Sequence, residues 1–221
     1  MELPGIRGSS KMSKKINNVR SKRADFYLIA GIVEPGSRVL DIGCGDGSLL
    51  ELLEEKRNVD GRGIEISQKG VNASVARGLS VIQGDANTDL YDYPDDTFDY
   101  VILGQMLPVI SKPREMLNEL LRIGRYAVVS IPNAGYWKNR FHLLFRGRIP
   151  IAEKNDNRWW NTENIHPCTI RDFIFLCQED GHIIEKGIKL DSKGRATRFS
   201  GTNGHANLFG EQAIFLLTRD K

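Results

Sequence analysis

Residues 39–47 read Val-Leu-Asp-Ile-Gly-Cys-Gly-Asp-Gly, and no other segment restricts the possible folds of this chain as strongly. A short apolar run leads into three glycines at alternate positions, and a helix-like segment, residues 48–55, follows. This order is typical of a strand, a tight turn and a helix. Glycine permits positive φ and carries no Cβ, so a ligand can lie almost against the backbone of such a turn. The exposed amides at the start of the following helix add positive potential at the same place.

The spacing of these glycines discriminates between ligand classes. A dinucleotide-binding turn has glycine at its first, third and sixth positions, whereas Ser48 takes the sixth position here. A phosphate-binding loop needs a lysine next, and none follows Gly47. The carboxylates of Asp41 and Asp46 would also repel a pyrophosphate. The segment therefore suits a ligand with an ammonium group and no phosphate, such as S-adenosylmethionine, and it resembles motif I of the class I methyltransferases.

Acidic or polar residues also follow other predicted strands. Glu65 ends the next apolar run, about 20 residues after the glycine turn, where a carboxylate can accept both ribose hydroxyls; a surface glutamate at a strand end is the alternative. Asp85 follows a predicted strand at residues 79–83 and can accept the adenine amino group, although a turn aspartate fits the spacing equally well. Gln105 follows a predicted strand at residues 98–103. The predicted cofactor-binding residues are Asp41, Gly43, Cys44, Gly45, Asp46, Gly47, Glu65, Ile66, Asp85, Ala86 and Gln105.

The predicted strands and helices alternate regularly. Five strands alternate with four helices, and two more strands are predicted at residues 182–190 and 212–218. This order predicts an α/β fold with a doubly wound, mostly parallel, seven-stranded Rossmann-like sheet and right-handed crossovers. Ligands bind such sheets outside the carboxyl ends of the strands, at the topological switch point. The glycine turn, Glu65, Asp85 and Gln105 all fall there, and their convergence is stronger evidence than any one of them.

Length and composition favour an ordinary globular protein. The 221 residues suffice for one α/β domain, expected at residues 24–221, and 40% of them are hydrophobic. Three scattered cysteines do not form a disulfide framework or a zinc motif, which favours a reducing cytoplasm. No apolar run approaches the ~18 residues of a membrane span, and the amino-terminal segment lacks the apolar core of a signal peptide. We therefore expect a cytoplasmic protein without membrane contacts and without a bound metal.

The first 23 residues form a basic arm. They contain seven Lys/Arg and one acidic residue, a net charge of +6, whereas the remaining chain has 24 basic and 27 acidic residues. Such an arm is most often disordered. It could touch nucleic acid, but no aromatic residue interleaves its charges to stack on bases. A nucleic-acid partner is therefore not expected.

Five segments together resemble the MetW family of methionine-biosynthesis proteins. The resemblance extends over residues ~20 to 218, and the motif I segment is its least specific part. It implies a methyltransferase-like domain that binds S-adenosylmethionine or S-adenosylhomocysteine. It also implies a role in methionine biosynthesis alongside a homoserine O-acyltransferase, and leaves open whether methyl transfer occurs. The five segments are residues 39–47, 131–133, 147–150, 164–173 and 207–214.

Residues that would perform methyl transfer are less evident. Residues 104–107 read Gly-Gln-Met-Leu, which excludes the Asn/Asp-Pro-Pro-Tyr/Phe motif of amino-methylating nucleic-acid enzymes. No cysteine lies near that sheet edge to act as the nucleophile of a cytosine C5 enzyme. His166 is the candidate catalytic residue, as a general base over the sulfonium; the alternative is a packing role before the helix that follows. Positioning alone can also support methyl transfer.

Two functions therefore remain open from the sequence. One is a cofactor-binding protein that supports an acyltransferase; the other is a free-standing methyltransferase acting on a small molecule. The segment that discriminates between them is an aromatic and basic insertion at about residues 134–160, which would be either a substrate lid or a docking face. Tryptophan and arginine dominate interface hot spots. Those named for the insertion are Trp137, Trp159, Trp160, Arg140, Arg146 and Arg148.

Overall fold

The computed structural model describes residues 23–150, 162 and 165–219. The predicted basic arm lies outside the described residues except for Arg23, and so do Trp159 and Trp160.

One eight-stranded sheet organises the described chain, with the strands in the order β3-β2-β1-β4-β5-β8-β6-β7. The first five strands of this order run parallel, and the last three join by antiparallel pairings. The prediction of a doubly wound, mostly parallel sheet is confirmed, and β1 and β4 flank the switch point where the chain reverses its direction of winding. The strands are β1 Arg38–Ile42, β2 Asp60–Glu65, β3 Ser80–Gln83, β4 Phe98–Gly104, β5 Gly124–Pro132, β6 Ile183–Leu190, β7 Ala196–Phe199 and β8 Gln212–Thr218.

Helices cover both faces of the sheet. Helices α1, α2 and α3 pack on one face, and α4 and α6 pack on the other. Two single 3₁₀ turns, Asp89–Asp92 and Leu107–Val109, flank β4. The helices are α1 Ala24–Ile32, α2 Ser48–Arg57, α3 Gln68–Val75, α4 Pro113–Ile123, α5 Trp137–Arg146, α6 Ile170–Glu179 and α7 Gly204–Phe209.

The prediction of seven strands was wrong by one. The additional strand, β7, lies in a segment predicted as a loop, and three of its four residues are exposed. Within the described ranges it pairs only with β6, so it carries no alternation of buried and exposed residues from which a strand could be predicted. The same segment also contains α7, which begins where the Asn203 side chain accepts the N–H groups of His205 and Ala206.

The central strand β1 is buried on both faces. Leu40 and Ile42 pack towards α4, whereas Val39 packs towards α1 and α2. A parallel strand covered on both faces reads as a nearly continuous apolar run, which is why the sequence predicted it. Asp41 interrupts this run with a buried carboxyl group, 3% exposed, directly before the glycine turn.

The buried side chain of Asn133 joins several of the segments that carry the family resemblance. Its Nδ2 donates to the carbonyls of Asn207 and Gly210, at 2.8 and 2.7 Å. Its Oδ1 accepts the N–H groups of Gly135 and Ile170, at 3.0 and 3.2 Å. All four hydrogen-bonding positions of the amide are therefore used. One side chain thereby fixes the end of β5, the start of α6 and the end of α7.

Candidate functional site

The glycine turn connects β1 to α2 at the carboxyl edge of the sheet. Gly43, Gly45 and Gly47 all have positive φ, at +69°, +60° and +75°. The N–H groups of Gly43 and Cys44 both donate to the carbonyl of Ile64, at 2.8 and 3.2 Å. These bonds fasten the turn to the end of β2, and the backbone conformation explains why glycine is required.

The three glycines differ in what lies where a Cβ would be. A Cβ on Gly47 would lie 2.4 Å from Leu79 Cδ1, and one on Gly43 would lie 1.5 Å from the Met106 sulfur. A Cβ on Gly45 would meet no atom within 4 Å. Gly43 and Gly47 are therefore required by packing within the protein. Gly45 instead faces open space, which leaves its backbone accessible to a ligand.

Glu65, at the end of β2, fixes the turn from the side. Its Oε2 accepts the N–H of Gly45 at 2.9 Å, and its Oε1 accepts the N–H of Ser67 at 2.8 Å. A Cβ on Gly70 would lie 2.7 Å from both Glu65 Cγ and the Gly45 carbonyl, so α3 packs tightly against the same place. Each carboxylate oxygen has a second acceptor position. Glu65 can therefore hold the turn and still accept ligand hydroxyls.

The carboxyl group of Asp41 is buried beside Glu65. Burial, and then the charge of Glu65, raise the pKa of Asp41 to about 8. Among the described residues, none donates a hydrogen bond to this carboxyl group. A buried carboxyl group without a partner is costly unless a ligand completes it. An ammonium group would supply both the hydrogen bonds and the opposite charge.

The side chains of Cys44 and Asp46 interact with other residues of the protein at the turn. Burial, followed by the charges of Asp41 and Glu65, raises the pKa of the Cys44 thiol to about 12. The thiol is therefore protonated at neutral pH and is not a nucleophile. Asp46 accepts the N–H of Ser48 at 3.2 Å and forms an ion pair with Arg77 at 3.0 Å. Both side chains thus shape the turn from within.

The predicted adenine side of the site contains Asp85, Ala86 and Ile66. The Asp85 Oδ1 accepts the backbone and side-chain N–H groups of Asn87, both at 2.9 Å, which orients the carboxylate. The backbone N–H of Asp85 donates to Asp89 at 2.8 Å. Ala86 is buried in the core, whereas the Ile66 side chain is 62% exposed. An exposed apolar side chain next to Glu65 offers a surface on which a base can pack.

Gln105 and Met106 directly follow β4, and Met106 contacts the glycine turn. Gln105 has a φ of +60°, which is uncommon outside glycine, and its N–H donates to the carbonyl and the hydroxyl of Ser130, both at 3.0 Å. Its side-chain amide donates to Gln212 at the start of β8. The Met106 thioether lies against Gly43. Strained backbone that is held by several bonds is typical of functional sites.

His166 lies beside the 3₁₀ turn after β4. Its backbone N–H donates to the carbonyl of Pro108 at 2.9 Å, and its Nε2 donates to the carbonyl of Ser111 at 3.2 Å. Ser111 in turn donates to Asn87, the partner of Asp85, at 2.8 Å. The bond to Ser111 leaves only Nδ1 to accept a proton. The catalytic role of His166 stays a prediction, and its contacts also fit the alternative packing role.

The structure brings together the ends of β1, β2, β3 and β4, as the sequence predicted. It adds three residues at this edge that sequence reasoning did not single out: Met106, Ser130 and Gln212. Met106 directly follows Gln105, and residue 212 lies in one of the segments that carry the family resemblance, residues 207–214. The positions of Met106 and Gln212 in the sequence could therefore have indicated them. Ser130 is interior to β5 and gives no such signal.

Comparison with known proteins identifies the family. Residues 23–217 match the family described as methionine biosynthesis protein MetW. The chain belongs to the MetW family. A relative from Rhodopirellula baltica, described as bifunctional methionine biosynthesis protein MetXA/MetW, is 37% identical over 176 residues. The aligned part is 76% of this chain and 28% of the relative, so this chain spans less than a third of that protein.

Two further comparisons concern methyltransferases. The MetW-family chain is 28% identical over 137 residues to demethylmenaquinone methyltransferase from Listeria welshimeri, covering 55% of this chain and 57% of that enzyme. A crystal structure from Thermotoga maritima, described as a SAM-dependent methyltransferase and possible histamine N-methyltransferase, matches with a TM-score of 0.67. That match covers 93% of this chain and 92% of the other at 17% identity. The MetW-family chain therefore has a methyltransferase fold, and fold alone does not assign an activity.

Two structural features, a membrane-spanning helix and a metal site, are not found among the described residues. No helix within the described ranges is both long and apolar enough to cross a bilayer. The same residues contain no group of three or more His, Cys, Asp or Glu side chains that could hold a metal ion.

Proposed function

We propose that this chain binds S-adenosylmethionine or S-adenosylhomocysteine at the glycine turn. The observation that carries the proposal is the open face of Gly45. The carboxylate of Glu65 holds the N–H of Gly45, and the buried carboxyl group of Asp41, unpartnered among the described residues, precedes the same turn. An open backbone turn admits the ligand closely. Two acidic groups favour a ligand that is cationic and rich in hydroxyls over one that carries phosphates.

Each part of this ligand has a candidate partner. Asp41 would bind the ammonium group, and Glu65 would accept the ribose hydroxyls. Asp85 would accept the adenine amino group beside the exposed side chain of Ile66. Gln105 would line the site next to Met106, whose thioether lies against Gly43. When bound, S-adenosylmethionine supplies an electrophilic methyl group.

We further propose that the chain acts in methionine biosynthesis together with a homoserine O-acyltransferase. The support is membership of the MetW family and the relative in which MetXA and MetW are parts of one chain. Fusion in one chain raises the effective concentration of two units for each other, which fits two units that act together. The three cysteines are free thiols, which fits the cytoplasmic location expected for such a pathway.

The second candidate function is a free-standing methyltransferase that acts on a small molecule. The similarity to demethylmenaquinone methyltransferase favours it. His166 would then be the general base, with Nδ1 as the proton acceptor. Calorimetry with both forms of the cofactor, with and without the acyltransferase, separates the candidates. Cofactor affinity that depends on the acyltransferase supports the first function. Independence, with methyl transfer in the isolated chain, supports the second.

The variant Gly45→Val tests the ligand position. Its side chain enters space that is open in the protein, so we expect at least a 30-fold loss of cofactor affinity, about 2 kcal/mol. Positive φ also costs a β-branched residue about 1–2 kcal/mol of stability. Gly36→Val is the matched control, because Gly36 has a φ of +76° and an open Cβ direction in the turn before β1. Equal cofactor affinity in the two variants would place the ligand elsewhere.

The variant Glu65→Ala tests the ribose contact. It removes a carboxylate that can accept ligand hydroxyls and that also holds the N–H of Gly45. We expect cofactor affinity to fall by about 2 kcal/mol, measured by calorimetry. Glu55→Ala, which removes an exposed carboxylate from α2, should bind like the wild type. An unchanged affinity in Glu65→Ala refutes the assignment.

A further inference from the structure

Helix α5 lies outside the core of the fold. None of its ten residues is buried. It is held at its start, where Asn139 and Arg140 donate to backbone carbonyls between residues 133 and 135. The side chains of Phe141, Leu144 and Phe145 are 51%, 74% and 74% exposed. A helix with such large exposed apolar side chains indicates a surface that another molecule covers.

Four of the five exposed apolar side chains of α5 form one stripe along the helix, and Leu143 lies on the opposite side. Trp137, Phe141 and Phe145 follow one another at four-residue spacing, with ring centroids 5.7 and 5.6 Å apart. Leu144 falls on the same side of the helix, because residues three and four apart are neighbours on a helix surface. We call Trp137, Phe141, Leu144 and Phe145 the apolar stripe. Its spacing is that of helices that bind in a hydrophobic groove of a partner.

The charges around the apolar stripe all have one sign. Residues 133–150 contain Lys138, Arg140, Arg146 and Arg148 and no acidic residue. Lys138 and Arg140 lie on opposite sides of the stripe, one residue after Trp137 and one before Phe141. This arrangement is complementary to an apolar groove with an acidic rim.

The charge pattern argues against a second copy of this chain and against a lipid surface. A symmetric dimer would bring Lys138 and Arg140 near their own copies without an acidic residue from the helix to compensate. A helix that lies in a membrane surface carries a strongly charged polar face. The face opposite the apolar stripe instead presents Asn139, His142 and Leu143, with Arg146 as its one charged residue.

We propose that the apolar stripe is the surface by which this chain docks in a groove of its homoserine O-acyltransferase. The inference rests on the proposed function for the identity of the partner, and it adds the contact surface. Aromatic side chains near the centre of an interface carry most of its binding energy. The stripe supplies three of them on one rigid helix, with cationic side chains at the rim.

The double variant Leu144→Ala, Phe145→Ala tests the docking surface. Alanine preserves the helix, and the purified variant should bind the purified acyltransferase at least tenfold more weakly, about 1.4 kcal/mol. Phe175→Ala is the matched control, because it removes an equally aromatic side chain, 59% exposed, from the outside of α6. It should bind the acyltransferase like the wild type. Cofactor affinity should be unchanged in both variants.

A labelling experiment tests whether the apolar stripe is accessible in the isolated protein. In the variant Leu144→Cys, a maleimide should modify the new thiol rapidly, and saturating acyltransferase should slow the reaction at least tenfold. Mass spectrometry distinguishes this site from Cys168, the partly buried native thiol. Slow modification of the isolated chain would mean that the stripe is already covered by its own chain or a second copy. That result would overturn the proposal.

The other outcomes of these binding experiments distinguish an error in the docking surface from an error in the choice of partner. If the double variant binds the acyltransferase as tightly as the wild type, the docking surface is wrong and the partner assignment stands. If the wild-type chain does not bind the acyltransferase, both the partner and the docking surface are wrong. Loss of cofactor affinity in the double variant would identify α5 as a substrate lid. Binding of the wild type, but not the double variant, to anionic lipid vesicles would identify a membrane surface instead.

Discussion

The variant Asn133→Asp should be about 4 kcal/mol less stable than the wild type at pH 7, measured by chemical denaturation. The substitution replaces an amide nitrogen that donates to two carbonyls with a carboxylate oxygen, which repels them. It also introduces a charge at a side chain that is 2% exposed. The lost bonds and the buried charge both destabilise the folded state.

The control for this variant is Asn72→Asp, which makes the same chemical change at an exposed position on α3. Surface substitutions of this kind usually change stability by about 0.5 kcal/mol or less. A stability loss in Asn133→Asp that does not exceed the loss in Asn72→Asp would show that the Asn133 network contributes little. The segments that Asn133 joins would then be held by apolar packing.

The variant Asp41→Asn should change stability and cofactor binding in opposite directions. Without cofactor, it should match the wild type below about pH 4 and be about 5 kcal/mol more stable near pH 8. Its affinity for S-adenosylmethionine should fall, because an amide gives the ammonium group no charge partner. Denaturation at several pH values and calorimetry measure the two effects.

The direction of this change in stability follows from the pKa of Asp41, which burial raises from 3.8 to about 8. An acid with a raised pKa binds its proton more tightly in the folded state than in the unfolded state. Its contribution to stability is therefore complete below about pH 4 and is lost as the pH rises to about 8. Glu65 faces Asp41 across the turn and adds to the loss once both groups are charged.

The exposed carboxylate of Asp60, on the neighbouring strand β2, provides the control. Asp60→Asn should keep the pH dependence of the wild type. A stability difference between wild type and Asp41→Asn that stays constant from pH 5 to pH 8 would contradict the raised pKa. A retained cofactor affinity would instead contradict the role of Asp41 as the ammonium partner.

Much of the fold was predictable from local sequence. The bounds predicted for the last strand, residues 212–218, agree with the structure, and this strand follows Gly210 as a run of apolar residues. Helix α4 begins at Pro113, ends before Gly124 and has an apolar face of helical period, so its bounds are also readable from the sequence. Ser67 and Thr169 are residue types that favour helix caps, and their side chains accept the N–H groups of Gly70 and Asp172 at the starts of α3 and α6.

The contacts that complete the site were not predictable, because they join residues far apart in the chain. Met106 lies against Gly43 through the pairing of β1 with β4, and Gln105 reaches Gln212 across β5. The protonation of Asp41 depends on burial that only the folded sheet produces. Local patterns place the ends of strands at one edge, but the strand order decides which side chains meet there.

The two outer strands of the sheet limit how this protein can associate. Both β3, Ser80–Gln83, and β7, Ala196–Phe199, have only four residues. A foreign strand added to either edge would gain few main-chain hydrogen bonds, and Arg198 places a charge in the middle of β7. Polymerisation through sheet extension is therefore disfavoured at both edges. Binding to a partner therefore depends on exposed side chains, which can be substituted one at a time without changing the strands.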